Sequence, residues 1–155
     1  MRLVIDRETQ AGTARFPGAA QSAIQKPHRK TRVLVTDDDA GIRVFLKVLL
    51  ECEGFEVLEA TNGRQAVELA QREKPDLLIT DLDMPQVDGY MAIVELRRDA
   101  SLAAMPILVH SGENGPGVEQ LVLELGADDF IPKSFDPATI VSRVHMALRP
   151  AAIAA

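Results

Sequence analysis

An α/β fold, in which helices cover both faces of a doubly wound parallel sheet, is predicted by three features of this 155-residue chain. Five short apolar runs alternate with five helix-like segments, the pattern that right-handed crossovers turn into a parallel sheet. The middle run, Leu77-Leu78-Ile79-Thr80, shows no polar alternation, as a strand covered on both faces requires. That run stops abruptly at Asp81, and an acid at such a tip lies where open α/β sheets place their ligand sites.

Each element has its own local reason. Arg32-Val33-Leu34-Val35-Thr36 is rich in β-branched residues and reads as the first strand, running into Asp37-Asp38-Asp39. Asp39 can cap a helix in which Ile42, Phe45, Leu46 and Leu49 recur at helical spacing, and Gly54 stops it. Phe55–Ala60 reads as the second strand. Asn62 can cap the second helix, whose Ala66, Leu69 and Ala70 share a face before Pro75 ends it. After the third strand, a helix spans about Asp88 to Arg98. Met105–His110 reads as the fourth strand, with Pro106 at its start, where a missing N–H matters least. Gly115, Pro116 and Gly117 loosen the next segment, so the fourth helix is short, Val118 to Leu125, and Gly126 closes it. Asp129-Phe130-Ile131-Pro132 is a brief last strand, placed at an edge by Pro132. Asp136 caps the fifth helix, Pro137 takes its first position, and Ile140, Val141, Val144 and Leu148 form its apolar stripe.

Residues 1–30 show no sustained periodicity and read as a flexible leader, residues 31–149 as one ordered domain, and residues 150–155 as a stub. Six Lys/Arg against two Asp/Glu make the leader basic, while eleven against twenty-one make the rest acidic, for a net charge of −6. The acidic body argues against a direct nucleic-acid surface. Cys52 is the one cysteine, so no internal disulfide forms; it reads as a structural thiol suited to a reducing cytoplasm. No apolar run reaches the ~18 residues of a membrane span, and no secretory signal is visible.

The strand tips carry the chemistry. Asp37 and Asp38 follow strand one, Asp81 follows strand three, Ser111 follows strand four and Lys133 follows strand five. Parallel strands bring all these tips to one edge. Crowded carboxylates resist ionisation, and a divalent cation relieves them. Oxygen ligands without a His or Cys cluster suit Mg²⁺. Asp38 and Asp81 can ligate it, Asp37 can hold a metal-bound water, and the backbone carbonyl of Asp83 can fill another position. Lys133 and Ser111 suit a phosphoryl group carried on Asp81, since carboxylate nucleophiles can form an aspartyl phosphate. His110 and His145 read as locally packed rather than phosphotransfer residues.

Val35-Thr36-Asp37-Asp38, Asp81-Leu82-Asp83-Met84-Pro85 with Asp88-Gly89, Ser111-Gly112 and Lys133 resemble the receiver domain of two-component response regulators, from about Thr31 to Arg149. The resemblance implies a flavodoxin-like sheet in the order 2-1-3-4-5. It also implies Mg²⁺-dependent phosphoryl transfer to Asp81 from a sensor histidine kinase or a histidine phosphotransfer protein. Ser111 and Phe130 match the family's paired switch residues: the hydroxyl moves to the phosphoryl group, the ring turns inward, and the face made by helix four, strand five and helix five changes its partner preference. Asp83 and Glu113 occupy positions that tune phosphoryl lifetime. Such a protein is a signalling switch that catalyses only its own phosphorylation and slow dephosphorylation, as a monomer or a phosphorylation-dependent dimer. One departure stands out: the family usually has proline after the lysine, joined by a cis bond, and here Ser134 follows Lys133.

With only six residues after Arg149, the expectation is a stand-alone receiver that acts on a downstream protein. The alternatives are a pseudo-receiver that binds partners without phosphorylation, and a haloacid-dehalogenase-type phosphatase, which Asp81-x-Asp83, Ser111 and Lys133 superficially copy. The phosphatase family, however, carries its nucleophile after the first core strand, and its acid pair follows the lysine.

Overall fold

Strand and helix alternate without exception in the computed structural model, which describes residues 28–133 and 136–150. The elements are β1 (Arg32–Thr36), α1 (Ala40–Cys52), β2 (Glu56–Ala60), α2 (Gly63–Glu73), β3 (Leu77–Thr80), α3 (Gly89–Arg98), β4 (Ile107–Ser111), α4 (Val118–Leu125), β5 (Asp129–Pro132) and α5 (Pro137–Leu148). The strands form one parallel sheet in the order β2-β1-β3-β4-β5. β3 lies at its centre and is buried at every residue, which is why its sequence lacks alternation.

Alternate strand residues feed two cores. Val33, Val35, Leu77, Ile79, Leu108 and Ile131 pack with Leu46 and Leu50 of α1 and Ile140 and Val144 of α5. Leu34, Leu78, Val109 and Phe130 pack on the other face with α2, α3 and Val122 of α4. Each fully buried Leu or Ile in these layers contributes about 1.5–3 kcal/mol.

Side-chain caps begin four of the helices. Asp39, Asn62, Asp88 and Asp136 accept hydrogen bonds from the N–H groups of Ile42, Gln65, Met91 and Thr139, each worth about 1 kcal/mol. α4 has no such cap; Gly117 precedes it in a left-handed conformation.

Four expectations shift. β4 runs from Ile107 to Ser111, so Pro106 lies outside the strand; it offers no N–H, while its carbonyl still accepts from Leu78 N–H at 3.0 Å. Phe55 precedes β2, because its N–H closes the end of α1 on Leu50 O at 3.2 Å. Phe45 is 41% exposed, because α1 turns Leu46 and Leu50 to the sheet and leaves Val44, Phe45 and Val48 outside. Cys52 is exposed on the same helix, and no core role falls to it.

Residues 1–27, 134–135 and 151–155 lie outside the described residues, and with them most of the leader, the Lys133–Ser134 bond and nearly all of the C-terminal stub. The leader's last residues are described, and Arg29 pairs with Asp76 at 2.9 Å.

Candidate functional site

The C-terminal edge of the sheet is assembled by hydrogen bonds that continue three of the four ladders one step past their strands. Asp37 N–H donates to Ala60 O at 3.3 Å, Asp81 N–H to Thr36 O at 2.9 Å, and Lys133 N–H to Ser111 O at 2.9 Å. Residues distant in the chain thereby become neighbours. The loop after β3 folds back onto Asp81, where Gly89 N–H donates to Leu82 O at 3.0 Å. That approach requires glycine: a Cβ at Gly89 would run into the Asp81 carbonyl and stand 2.8 Å from Leu82 Cα.

Lys133 supplies the positive charge at the centre. Its Nζ lies 2.9 Å from Asp81 Oδ2 and 2.9 Å from Asp37 Oδ2. The Asp81 contact is an aligned hydrogen bond, whereas Asp37 Oδ2 makes an ion pair without hydrogen-bond alignment. Asp81 Oδ1 accepts from Leu82 N–H at 2.7 Å. Asp37 Oδ1 accepts from Asp39 N–H at 2.9 Å.

Burial sets the electrostatics. It pushes the Asp37 carboxyl above the usual range, with Asp81 adding repulsion, although Lys133 and the Asp39 N–H act the other way. Burial would depress Lys133, but its bonds to Asp81 and Asp37 outweigh this and hold it above its ordinary value. His110, 2% exposed at the end of β4, is lowered to about 4 by burial and then by Lys133, with Asp81 opposing. Neither of its ring nitrogens has a partner.

The edge is also a fit for a divalent cation. Asp37, Asp38 and Asp81 each offer a carboxylate oxygen within 4.8 Å of the others. The donors are all oxygen, which favours a hard ion. Asp38 and Asp83 are exposed where Asp37 and Asp81 are buried. Together with Ser111, Gly112, Glu113 and Lys133, Asp38, Asp81 and Asp83 line an open cleft of about 500 Å³. A larger hollow of about 660 Å³ runs beside Gly117, Gln120 and Leu123 and contains none of these residues.

The remaining predicted residues sit as follows. Ser111 is fully buried, and its Oγ accepts from Glu113 N–H at 3.1 Å. Phe130 is 6% exposed, with its ring inward in the core beneath α4. Glu113 lies at the exposed rim; burial, and then Glu113, raise the Tyr90 phenol above its ordinary value. Sequence reasoning passed over Tyr90 and Arg43. Arg43 Nη1 donates to Asp37 O at 2.9 Å and Asp38 O at 3.2 Å, tying the acidic loop to α1. An arginine in the first turns after three acids was the available signal.

Fold and cleft together define a flavodoxin-like protein with an acidic, lysine-bridged pocket at the C-terminal sheet edge. Residues 33–145 match the model of the response regulator receiver domain, and the chain belongs to that family. Among relatives, it is 37% identical over 121 residues to a probable transcriptional regulator ycf27 of Porphyridium aerugineum, covering 78% of this chain and 49% of that one. It is likewise 37% identical over 124 residues to the alkaline phosphatase synthesis transcriptional regulatory protein PhoP of Bacillus subtilis (strain 168), covering 80% and 51%. The chain thus spans about half the length of these curated relatives. Its structure resembles chemotaxis protein CheY4 of Vibrio cholerae with a TM-score of 0.73 at 30% identity, covering 77% of this chain and all (100%) of that one. Receiver domains of this family are signalling switches of two-component systems. The match leaves the phosphatase alternative without support. Among the described residues, no helix is long and apolar enough to cross a membrane.

Proposed function

We propose that this chain is a phospho-accepting switch whose acceptor is Asp81. The observation that carries the reading is the bridge from Lys133 Nζ to Asp81 Oδ2 and Asp37 Oδ2, 2.9 Å each, at the mouth of an acidic cleft. A cationic clamp at an otherwise acidic edge suits a dianionic group arriving on a carboxylate.

An Asp81 carboxylate oxygen attacks the phosphorus of a phosphohistidine on a sensor kinase or histidine phosphotransfer protein. The new O–P bond forms as the P–N bond breaks, and the electron pair leaves with the imidazole nitrogen, which takes up a proton. Lys133 follows the charge from the carboxylate to a phosphoryl oxygen. The Ser111 hydroxyl, 3.1 Å from Glu113 N–H in the resting arrangement, is free to turn and donate to another. Asp38 and Asp81 would hold Mg²⁺, with Asp37 holding one of its waters and the Asp83 carbonyl a further ligand. That ion supplies neutralising charge for the carboxylates and the phosphoryl oxygens. Asp83 and Glu113 are exposed at the rim, and on this reading they govern access of the hydrolytic water.

Output follows from a population shift. Ser111 and Phe130 lie on neighbouring strands, with Ser111 opposite Pro132 and Phe130 opposite Val109. A hydroxyl drawn to the phosphoryl group changes what borders the aromatic ring. The surface above it, with Leu121 and Leu123 of α4 and Met146 of α5 exposed, suits a protein partner.

Acetyl phosphate with Mg²⁺ should add one phosphoryl mass to the intact protein, and Asp81→Asn should add none. An unmodified parent, or an equally modified Asp81→Asn, would overturn the assignment. The same experiment separates a switch from a pseudo-receiver, which would gain nothing.

A further inference from the structure

His110 is a buried polar residue that neither accepts the phosphoryl group nor ligates the cation. Its ring nitrogens lack partners although the residue is 2% exposed. Orphaned buried polar atoms are uncommon, because their desolvation goes uncompensated.

Register places it beside the acceptor. Thr80 stands opposite Val109, so the next step of the β3–β4 ladder brings Asp81 level with His110. Side chains alternate along a strand. Leu108 packs on the α1/α5 face, and His110, two residues on, points to the same face. Asp37, Asp81 and Lys133 share it, each two residues beyond a member of that core: Val35, Ile79 and Ile131.

The path of Lys133 completes the picture. Its Cδ lies 3.9 Å from where a Cβ on Gly112 would stand. The lysine stem therefore passes Gly112, the first residue beyond β4, on its way to Asp81 and Asp37, two residues past His110. An ammonium has three N–H donors. Asp81 and Asp37 engage it at 2.9 Å each, and no third protein partner is present among the described residues. Burial and the nearby lysine keep the imidazole neutral, so one ring nitrogen is a free acceptor.

We propose that His110 is a positioning residue for Lys133: once Asp81 carries the phosphoryl group, the free ring nitrogen accepts an N–H from the ammonium and holds it over the sheet edge. The inference rests on Asp81 being the acceptor. Formation of the acyl phosphate moves the negative charge from the Asp81 carboxylate out to the phosphoryl oxygens. Lys133 then spans a phosphoryl oxygen and Asp37, and the neutral acceptor alongside takes its third N–H and fixes its direction.

The test uses the full chain with ¹⁵N-labelled histidine, Mg²⁺ and beryllofluoride as the phosphoryl mimic. Addition of the mimic should move the unprotonated His110 nitrogen upfield, as a newly engaged acceptor moves. His110→Leu fills the space without an acceptor and should weaken beryllofluoride binding about tenfold, the scale of one lost hydrogen bond to a charged group. His110→Gln and His110→Asn place an amide oxygen near one or the other ring nitrogen, and one of them should restore binding to within about twofold. Should His110→Leu fail to fold, the nitrogen shift and the amide variants still decide. An unmoved ring nitrogen, or leucine performing as well as histidine in a parent that binds the mimic, overturns this inference alone. A parent that binds no beryllofluoride removes the acceptor assignment and this inference with it.

Discussion

The two edges of the sheet use charge in opposite ways. At the N-terminal edge, the Arg32 guanidinium meets Glu73 Oε2 at 2.8 Å, Glu73 O at 2.8 Å and Glu56 at 3.2 Å. Asp76 accepts from Arg32 N–H at 2.8 Å and from Arg29 at 2.9 Å. Pairing there pushes Arg32 up and Glu73 down, as mutual stabilisation requires. At the C-terminal edge, Asp37, Asp38 and Asp81 crowd together with Lys133 between two of them. Burial there pushes Asp37 the wrong way for a carboxylate that must be charged. One edge is arranged to close the fold. The other holds an imbalance that a cation and a phosphoryl group can relieve, the usual conflict between stability and a functional site.

The sharpest way to break this contrast is through backbone rather than charge. Gly89→Ala would drive a methyl group into the Asp81 carbonyl and against Leu82 Cα at 2.8 Å. Backbone atoms cannot step aside, so the loss should reach about 3 kcal/mol or more, read from the urea midpoint. A smaller loss is expected at the other edge. Arg32→Ala removes bonds to Glu73 and Glu56 that are partly screened by solvent, and should cost about 1–2 kcal/mol, shrinking as salt is added. The smallest effect has the opposite sign. Folding raises the Asp37 pKa, so its contribution is favourable below about pH 3.8, its ordinary value, and is lost as pH rises through the folded value. At neutral pH the ionised group is a liability. Asp37→Asn should therefore raise Tm by about 2–4 °C in metal-free buffer, while weakening the stabilisation that added Mg²⁺ gives the parent. A lowered Tm would mean that the lysine bridge outweighs the crowding.

Legibility in the sequence followed the range of the interactions. α4 begins and ends where its glycines place it, and α5 begins where Asp136 and Pro137 place it, because caps act within a turn. β4 is displaced along the chain because Pro106 serves the ladder through its carbonyl alone, which residue type does not reveal. Phe45 falls on a helical stripe with Leu46, yet it remains exposed because, among the described residues, no element covers that side of α1. Asp37, Asp81 and Lys133 stood out as tip residues. Tyr90 and the orphaned nitrogens of His110 did not, since each matters only through neighbours far along the chain. Arg43 did not although its partners Asp37 and Asp38 are close in sequence, because its bonds go to backbone carbonyls that residue type does not reveal.

The chain alone dictated the alternation of strands and helices, the helix caps and the order in which the acidic, hydroxyl and lysine residues reach their strand tips. These follow from backbone periodicity and hydrogen bonds made within a few residues. Tertiary structure decided which strands lie side by side, so that Lys133 reaches Asp81 across 52 positions of sequence, and which faces stay bare. Register and the packing of two helical layers against one sheet bring those groups together, and no local pattern encodes such distances.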